Sequence, residues 1–302
     1  MMSWSRIFAL LLALSFIFTF TVLKSTDILG FTFDKMKIKG STPHENIQDT
    51  QNKFWINLKN PGNISNYKSV NYRLPLCNEI PPSLHTLTIN TSIKVTFEKI
   101  IAENTNVQYG GHGKPESCQA HQKIAIVIPY RNREPHLKMW LYNMHPFLQK
   151  QQADYGIYVV EQSQNTTFNR AKLMNIGYTE ALKDYDYNCF IFSDVDIIPM
   201  DLRNLYRCSK NPRHLANAVD KFDFRVVAVG MKVERPKQHI ARSKMIFHKR
   251  DAGNEKTGKS FHLISKAKQR MYQDGLSSLT YNVTEHIKHR LFTKITVDIG
   301  TL

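Results

Sequence analysis

A chain of 302 residues, 42% of them hydrophobic, has enough apolar material for a sizeable core in one large domain or two small ones. Four cysteines are too few for a disulfide scaffold, although they permit two bridges, and low-complexity tracts and internal repeats are absent from the sequence. The formal charge of +16 is interleaved along the chain rather than carried by a tail, and it points to an anionic partner: nucleic acid, a membrane surface or a phosphate-bearing ligand.

Residues 7–23 (IFALLLALSFIFTFTVL) are apolar apart from Ser and Thr, with Arg6 before them and Lys24 after. At about 1.5 Å per residue such a helix just spans a hydrocarbon core of roughly 30 Å. A cleaved signal peptide would want a small-x-small site after the apolar run, and the stretch from Thr21 to Thr26 is a poor one, so the sequence predicts an uncleaved anchor. Residues 1–6 are then a short cytosolic end. Four N-x-S/T sequons, at Asn63, Asn90, Asn165 and Asn282, all follow the apolar run, which is consistent with a lumenal body where disulfides form. Residues 24–73 show no sustained period and are rich in Asn, Lys, Ser and Thr, with Pro43, Pro61 and Gly62 as breakers. They read as a stem.

The body, residues 74–302, begins with ambiguous short apolar patterns. Residues 123–129 (KIAIVIP) are continuously apolar, as a central parallel strand covered on both faces should be. The polar stretch YRNRE follows, and then residues 136–152 carry a helical stripe of Leu137, Trp140, Leu141, Met144 and Leu148. Residues 156–161 (GIYVVE) read as the next strand, and a second helix runs from about Phe168 to Leu182. This alternation predicts an α/β fold with an open, mostly parallel sheet flanked by helices.

The third strand, CFIFSDVDIIP, covers residues 189–199. Read as one extended segment, its period of two sends Asp194 and Asp196 to the same side. Carboxylates at the open end of a parallel strand suit a divalent cation and a nucleotide phosphate; a strand end entering solvent through polar residues reads the same way. The pattern alone does not choose. Arg131, Arg133 and Arg170 fall near the same sheet edge, which favours the phosphate and metal reading. Residues 242–250 (RSKMIFHKR) also suit a basic nucleic-acid or heparin patch, but a lumenal body meets no nucleic acid.

The strings IPYRNRE, FNRAKLMNIGY, CFIFSDVDIIP, DGLSSLTY and ITVDIG, in that order, resemble the β-1,4-galactosyltransferases, Golgi type II membrane enzymes with a GT-A fold. The resemblance implies inverting transfer of galactose from UDP-galactose to the 4-hydroxyl of an N-acetylglucosamine-terminated acceptor, with Mn2+ as cofactor. It places Pro129, Tyr130, Arg131, Asn132, Arg133, Phe168, Asn169, Arg170, Asp194 and Val195 around the donor, and Asp196, Met245 and His248 on the metal. Metal chemistry alone would not nominate Met245, because a thioether is a poor partner for a hard ion. The same resemblance pairs Cys77 with Cys118 and Cys189 with Cys208, and sets Phe261 and Ile264 in an N-acetyl pocket.

One segment departs from the family. Between Phe224 and Gly230 the family has a long insertion holding a W-G-W-G-G-E-D-D-D motif; here RVVAVG follows directly, and all three tryptophans (Trp4, Trp55, Trp140) lie upstream. That segment carries the family's general base and acceptor-binding acids, and an inverting transfer needs a base for the acceptor hydroxyl. Asp220, Asp223, Glu234 and Asp251 have no motif support for the role, and Ser260 stands where the family has an arginine. The expectation is a donor side that is complete and an acceptor side that is largely missing, with transfer reduced or lost. A UDP- and Mn2+-holding or partner-binding protein is the alternative.

Overall fold

The computed structural model describes residues 20–24, 74–163, 166–216, 230–248, 266–270 and 273–300. The described residues form nine strands: β1 (Phe20–Lys24), β2 (Lys123–Tyr130), β3 (Asp154–Gln162), β4 (Cys189–Ser193), β5 (Ile197–Pro199), β6 (Arg213–His214), β7 (Ser243–Met245), β8 (Asn282–Lys288) and β9 (Thr293–Asp298). Helices among the described residues are α1 (Phe97–Glu103), α2 (Glu134–Lys150), α3 (Arg170–Asp184) and α4 (Ala267–Arg270).

Seven strands make one sheet in the order β6-β1-β4-β2-β3-β9-β8, and β5 pairs with β7 in a separate ribbon. The four central strands, β4, β2, β3 and β9, run parallel, whereas β1, β6 and β8 join antiparallel. The sheet is therefore mixed rather than mostly parallel. Its parallel centre follows from the β2–α2–β3–α3–β4 alternation, since each helical crossover returns the chain in the same direction.

Both faces of β2 are covered. Ile124, Ile126 and Ile128 share a core with Leu137, Trp140, Leu141, Met144 and Leu148 of α2, while Ala125 and Val127 pack on the other face with Leu173, Ile176 and Ala181 of α3. Every residue of β2 after Lys123 is buried, which explains the unbroken apolar run. Gly177 lets α3 approach closely: a Cβ there would sit 2.3 Å from Val127 Cγ1 and 2.8 Å from Val160 Cγ2.

Two disulfides join Cys77 to Cys118 and Cys189 to Cys208. The first ties the start of the folded body to the loop before β2. The second anchors the first residue of β4. This is the pairing the family resemblance implied.

Residues 189–199 do not form a single strand. β4 ends at Ser193, residues 194–196 turn, with the Ile197 amide donating to the Asp194 carbonyl at 3.4 Å, and β5 leaves the main sheet. The two acids consequently do not share a face by strand alternation.

Only the end of the expected anchor falls on described residues. Residues 1–19 of the expected cytosolic end and anchor lie outside the described residues, but Phe20–Lys24 is a strand between β4 and β6, with Val22 opposite Ile191. Phe, Thr and Val favour extended backbone, and an apolar run by itself does not separate strand from helix. No helix among the described residues is long and apolar enough to cross a membrane. Nearly all of the expected stem and the stretch from 217 to 229, which contains the departure from the family pattern, lie outside the described residues.

Candidate active site

The C-terminal ends of β2, β3 and β4 meet on one side of the sheet, and three loops converge there. The loop after β2 carries Arg131, Asn132 and Arg133; Asn132 takes φ 51°, a left-handed turn that asparagine tolerates. Arg131 Nη1 donates to the Thr166 carbonyl at 2.6 Å, and its guanidinium lies 5.1 Å from the centre of the Phe168 ring. The loops after β2 and β3 are thus joined through one arginine. Tyr130 is buried, and burial raises its phenol pKa.

The loop after β3 enters α3 through Asn169, whose Oδ1 accepts from the Lys172 amide at 3.1 Å as an N-cap. Gln162, buried at the end of β3, holds this entry: its Nε2 donates to Thr166 Oγ1 (3.1 Å) and the Thr167 carbonyl (3.2 Å), and its Oε1 accepts from the Asn169 amide (3.0 Å). Sequence reasoning missed Gln162. The available signal was a polar residue closing an otherwise apolar strand, which a buried amide satisfies by hydrogen bonding.

Capping by Asn169 starts α3 at Arg170, and Arg170 Nη2 lies 2.5 Å from Asp194 Oδ1, with both side chains largely buried. The Asp194 carboxyl is pushed up to about 7; burial is the largest cause, the Arg170 charge opposes it, and Asp196 adds to it. Val195, at the turn, is buried. Asp196 Oδ2 lies 2.8 Å from His248 Nε2. β7 brings His248 there: Met245 pairs with Ile197, and the Ile246 amide donates to the Asp196 carbonyl at 2.7 Å. The His136 ring, in the first turn of α2, packs edge-on against His248 at 5.6 Å, a neighbour the sequence reading did not name.

Met245 stands opposite Ile197, the residue after Asp196. Asp196 and His248 meet, whereas Met245 is 60% exposed. Among the described residues no group of three or more His, Cys, Asp or Glu converges as a metal cage. The Asp196–His248 pair nonetheless fits a divalent cation: two cis ligands of an octahedral ion with bonds of roughly 2.1 Å stand about 3 Å apart. An open site of one carboxylate and one imidazole leaves positions for phosphate oxygens. Phe261 and Ile264 lie outside the described residues, as do Asn63 and Asn165.

Of the four acids considered as a replacement base, only Glu234 is described. It accepts from Ser209 Oγ at 2.6 Å and from Asn211 Nδ2 at 3.1 Å. Burial raises its pKa, but these hydrogen bonds and the Arg213 charge outweigh it and hold the carboxylate below its usual range. A carboxylate stabilised in its charged form is a weaker base.

An acid pair and arginines at the strand ends of an α/β frame suit a sugar-nucleotide site without specifying one; residues 77–209 match the N-terminal region of glycosyl transferase group 7. The chain is 44% identical over 270 residues to mouse beta-1,4-galactosyltransferase 1, covering 76% of this chain and 68% of the relative. It is 43% identical over 289 residues to the human beta-1,4-galactosyltransferase 1, covering 80% and 73%. The chain belongs to the β-1,4-galactosyltransferase family. The mouse alignment is 270 positions long yet uses only 76% of 302 residues, so about 40 positions of the relative face no residue here. Among solved structures, a mutant of Drosophila β1,4-galactosyltransferase 7 in complex with manganese, UDP-Gal and xylobiose shares the fold, with a TM-score of 0.50 and 21% identity over 60% of this chain and 95% of that one.

Proposed function

We propose that this protein holds a UDP-sugar and Mn2+ at the C-terminal ends of β2, β3 and β4, and that its galactose transfer to the 4-hydroxyl of N-acetylglucosamine-type acceptors on glycoproteins or glycolipids is reduced or lost. The observation that carries the donor half is the arrangement at the β4 turn: Arg170 on Asp194 and His248 on Asp196, 2.5 and 2.8 Å apart. In this reading Arg131, Arg133 and Arg170 receive the diphosphate, Pro129, Tyr130, Asn132, Phe168, Asn169, Asp194 and Val195 line the nucleotide, and Asp196, His248 and Met245 hold the ion. The bound ion supplies charge neutralisation for the departing diphosphate, and the fixed arginines add to it. Phe261 and Ile264 contact the acceptor. The Drosophila structure holds xylobiose, so a xylose-type acceptor belongs to the same proposal.

Loss of transfer is supported by the roughly 40 unmatched positions of the relatives and by the engaged state of Glu234. The intact donor side favours the second reading, a non-enzymatic UDP- and Mn2+-binding protein. Calorimetry of UDP with Mn2+, and galactose transfer to N-acetylglucosamine, measured on the same full chain, separate these. Binding is expected, with transfer at least about 100-fold below the intact relatives, the contribution typical of a general base. Transfer at the relatives' rate would overturn the loss; absence of UDP binding would overturn the donor site.

The sequons support a Golgi-lumenal body behind a single-pass anchor, with a stem between them. Residues 7–19 alone would span about 20 Å as a helix, short of roughly 30 Å. Phe20–Leu23 must therefore leave the sheet for the anchor to form.

A further inference from the structure

The main sheet has two lateral ends of different character. At one, β6 is two residues long; at the other, β8 is seven residues long and pairs, among the described residues, only with β9. A strand of that length exposes roughly 23 Å of unpaired backbone donors and acceptors along its outer edge, a template for another strand. Proteins blunt such edges with proline, charge, bulges or cover. β8 contains no proline. Its charges are committed elsewhere: Glu285 to Lys294 and Thr296, and Lys288 to Asp184. Ile287 is 39% exposed. The pairing is irregular only between Val283 and Glu285, at the start of the strand.

Asn282, the first residue of β8, is exposed and opens the sequon Asn282-Val283-Thr284. The other described sequon differs. Asn90 is exposed outside any strand, with its Oδ1 accepting from the Ser92 amide at 2.9 Å.

We propose that Asn282 carries an N-linked glycan whose role is to guard the open edge of β8 against pairing with a second copy of the chain. The inference rests on the lumenal placement proposed above. The Asn282 amide nitrogen forms a bond to the anomeric carbon of a lipid-diphosphate-linked oligosaccharide. The bond from that carbon to the diphosphate breaks, and the amide proton leaves with the departing group. Thr284 Oγ1 donates to the Thr296 carbonyl at 3.1 Å in the folded sheet, so the sequon is read before β8 pairs with β9. A glycan on Asn282 leaves from one face of the sheet, but its reach exceeds the roughly 4.8 Å spacing between strands, so it overhangs the outer edge and crowds a second strand at that end of β8. With the bulge beside it, cover is concentrated on the half of the strand away from Lys288.

The test uses the full chain made in glycosylating cells, with glycosidase-dependent mobility and chemical crosslinking as readouts. Asn282→Gln is expected to lose one glycan step and to gain crosslinked dimers; Asn90→Gln is expected to lose one step and gain none. Thr284→Ala should behave as Asn282→Gln, and Thr284→Ser, which keeps the sequon, as wild type. Ile287→Lys added to Asn282→Gln should return the chain to monomer by placing charge on the same edge. If Asn282→Gln folds poorly, trimming the glycan of folded protein carrying Asn63→Gln, Asn90→Gln and Asn165→Gln, which leaves Asn282 as its one sequon, gives the same dimer readout. Modification of Asn90 but not Asn282, or loss of the Asn282 glycan with no new dimer, overturns the proposal. Absence of glycan at every sequon overturns it together with the lumenal reading.

Discussion

At the scale of single residues, buried polar groups carry the strongest consequences. Arg170 compensates the Asp194 carboxylate at 2.5 Å. Removing one partner of a fully buried pair costs about 3 kcal/mol, reduced toward about 2 by partial exposure. Arg170→Ala is expected to lose that much stability and to weaken UDP binding; a denaturant titration showing less than about 1 kcal/mol would count against the pair. His145 is a second case. It is wholly buried: Nε2 donates to the Leu291 carbonyl at 3.0 Å, and in the neutral ring Nδ1 accepts from Tyr155 Oη at 2.8 Å. Burial lowers its pKa from 6.5 to about 4, outweighing the Leu291 hydrogen bond. Between those values the unfolded chain takes up a proton that the folded chain refuses, so stability is complete above pH 6.5 and falls as the pH drops toward 4. The loss is on the order of 3 kcal/mol. Denaturant midpoints at a series of pH values check this, and in His145→Gln that pH dependence should flatten.

At the scale of elements, the close approach of α3 to β2 and β3 depends on Gly177. Alanine in a helix gains about 1 kcal/mol over glycine, but overpacking costs about 1–3 kcal/mol. The built Cβ meets two buried β-branched side chains at 2.3 and 2.8 Å, so the clash wins. Gly177→Ala should lower the midpoint of thermal unfolding, and adding Val127→Ala should restore part of it. A stabilised Gly177→Ala would mean the helix sits farther from the sheet. The helices and strands from Lys123 to Ser193 were legible in advance because long apolar runs and 3.6-residue stripes record burial directly. The break at residues 194–196 was not legible. The strand's continuation is decided by pairing, and β5 finds its partner in β7, 46 residues later, counting from Ile197 to Ser243.

At the scale of the whole molecule, Phe20–Lys24 has two incompatible seats. In the sheet it separates β4 from β6; in a membrane it would complete an anchor. Alkaline carbonate extraction of the full chain from cell membranes distinguishes them. An anchored protein stays in the pellet, and release into the supernatant would favour the sheet seat. With the anchor formed, β4 loses its β1 partner, so amide exchange at residues 189–193 should be faster in the membrane-bound protein.

The sequence by itself determined what depends on local burial pattern and on motif: the parallel α/β centre, the covered faces of β2, and membership of the family. It also carried the departure from the family pattern between Phe224 and Gly230, because absent residues need no fold to be read. Tertiary structure decided which groups meet. Asp194 and Asp196 are two residues apart, yet one turns to an arginine on α3 and the other to a histidine beyond β7. Gln162 and His136, unmarked by any motif, hold or pack the same site. The mixed sheet, and a β8 edge left unpaired among the described residues, likewise belong to tertiary structure, since strand order is set by long-range pairing. Chain-local periodicity reports how deeply a residue is buried; it does not report its neighbour.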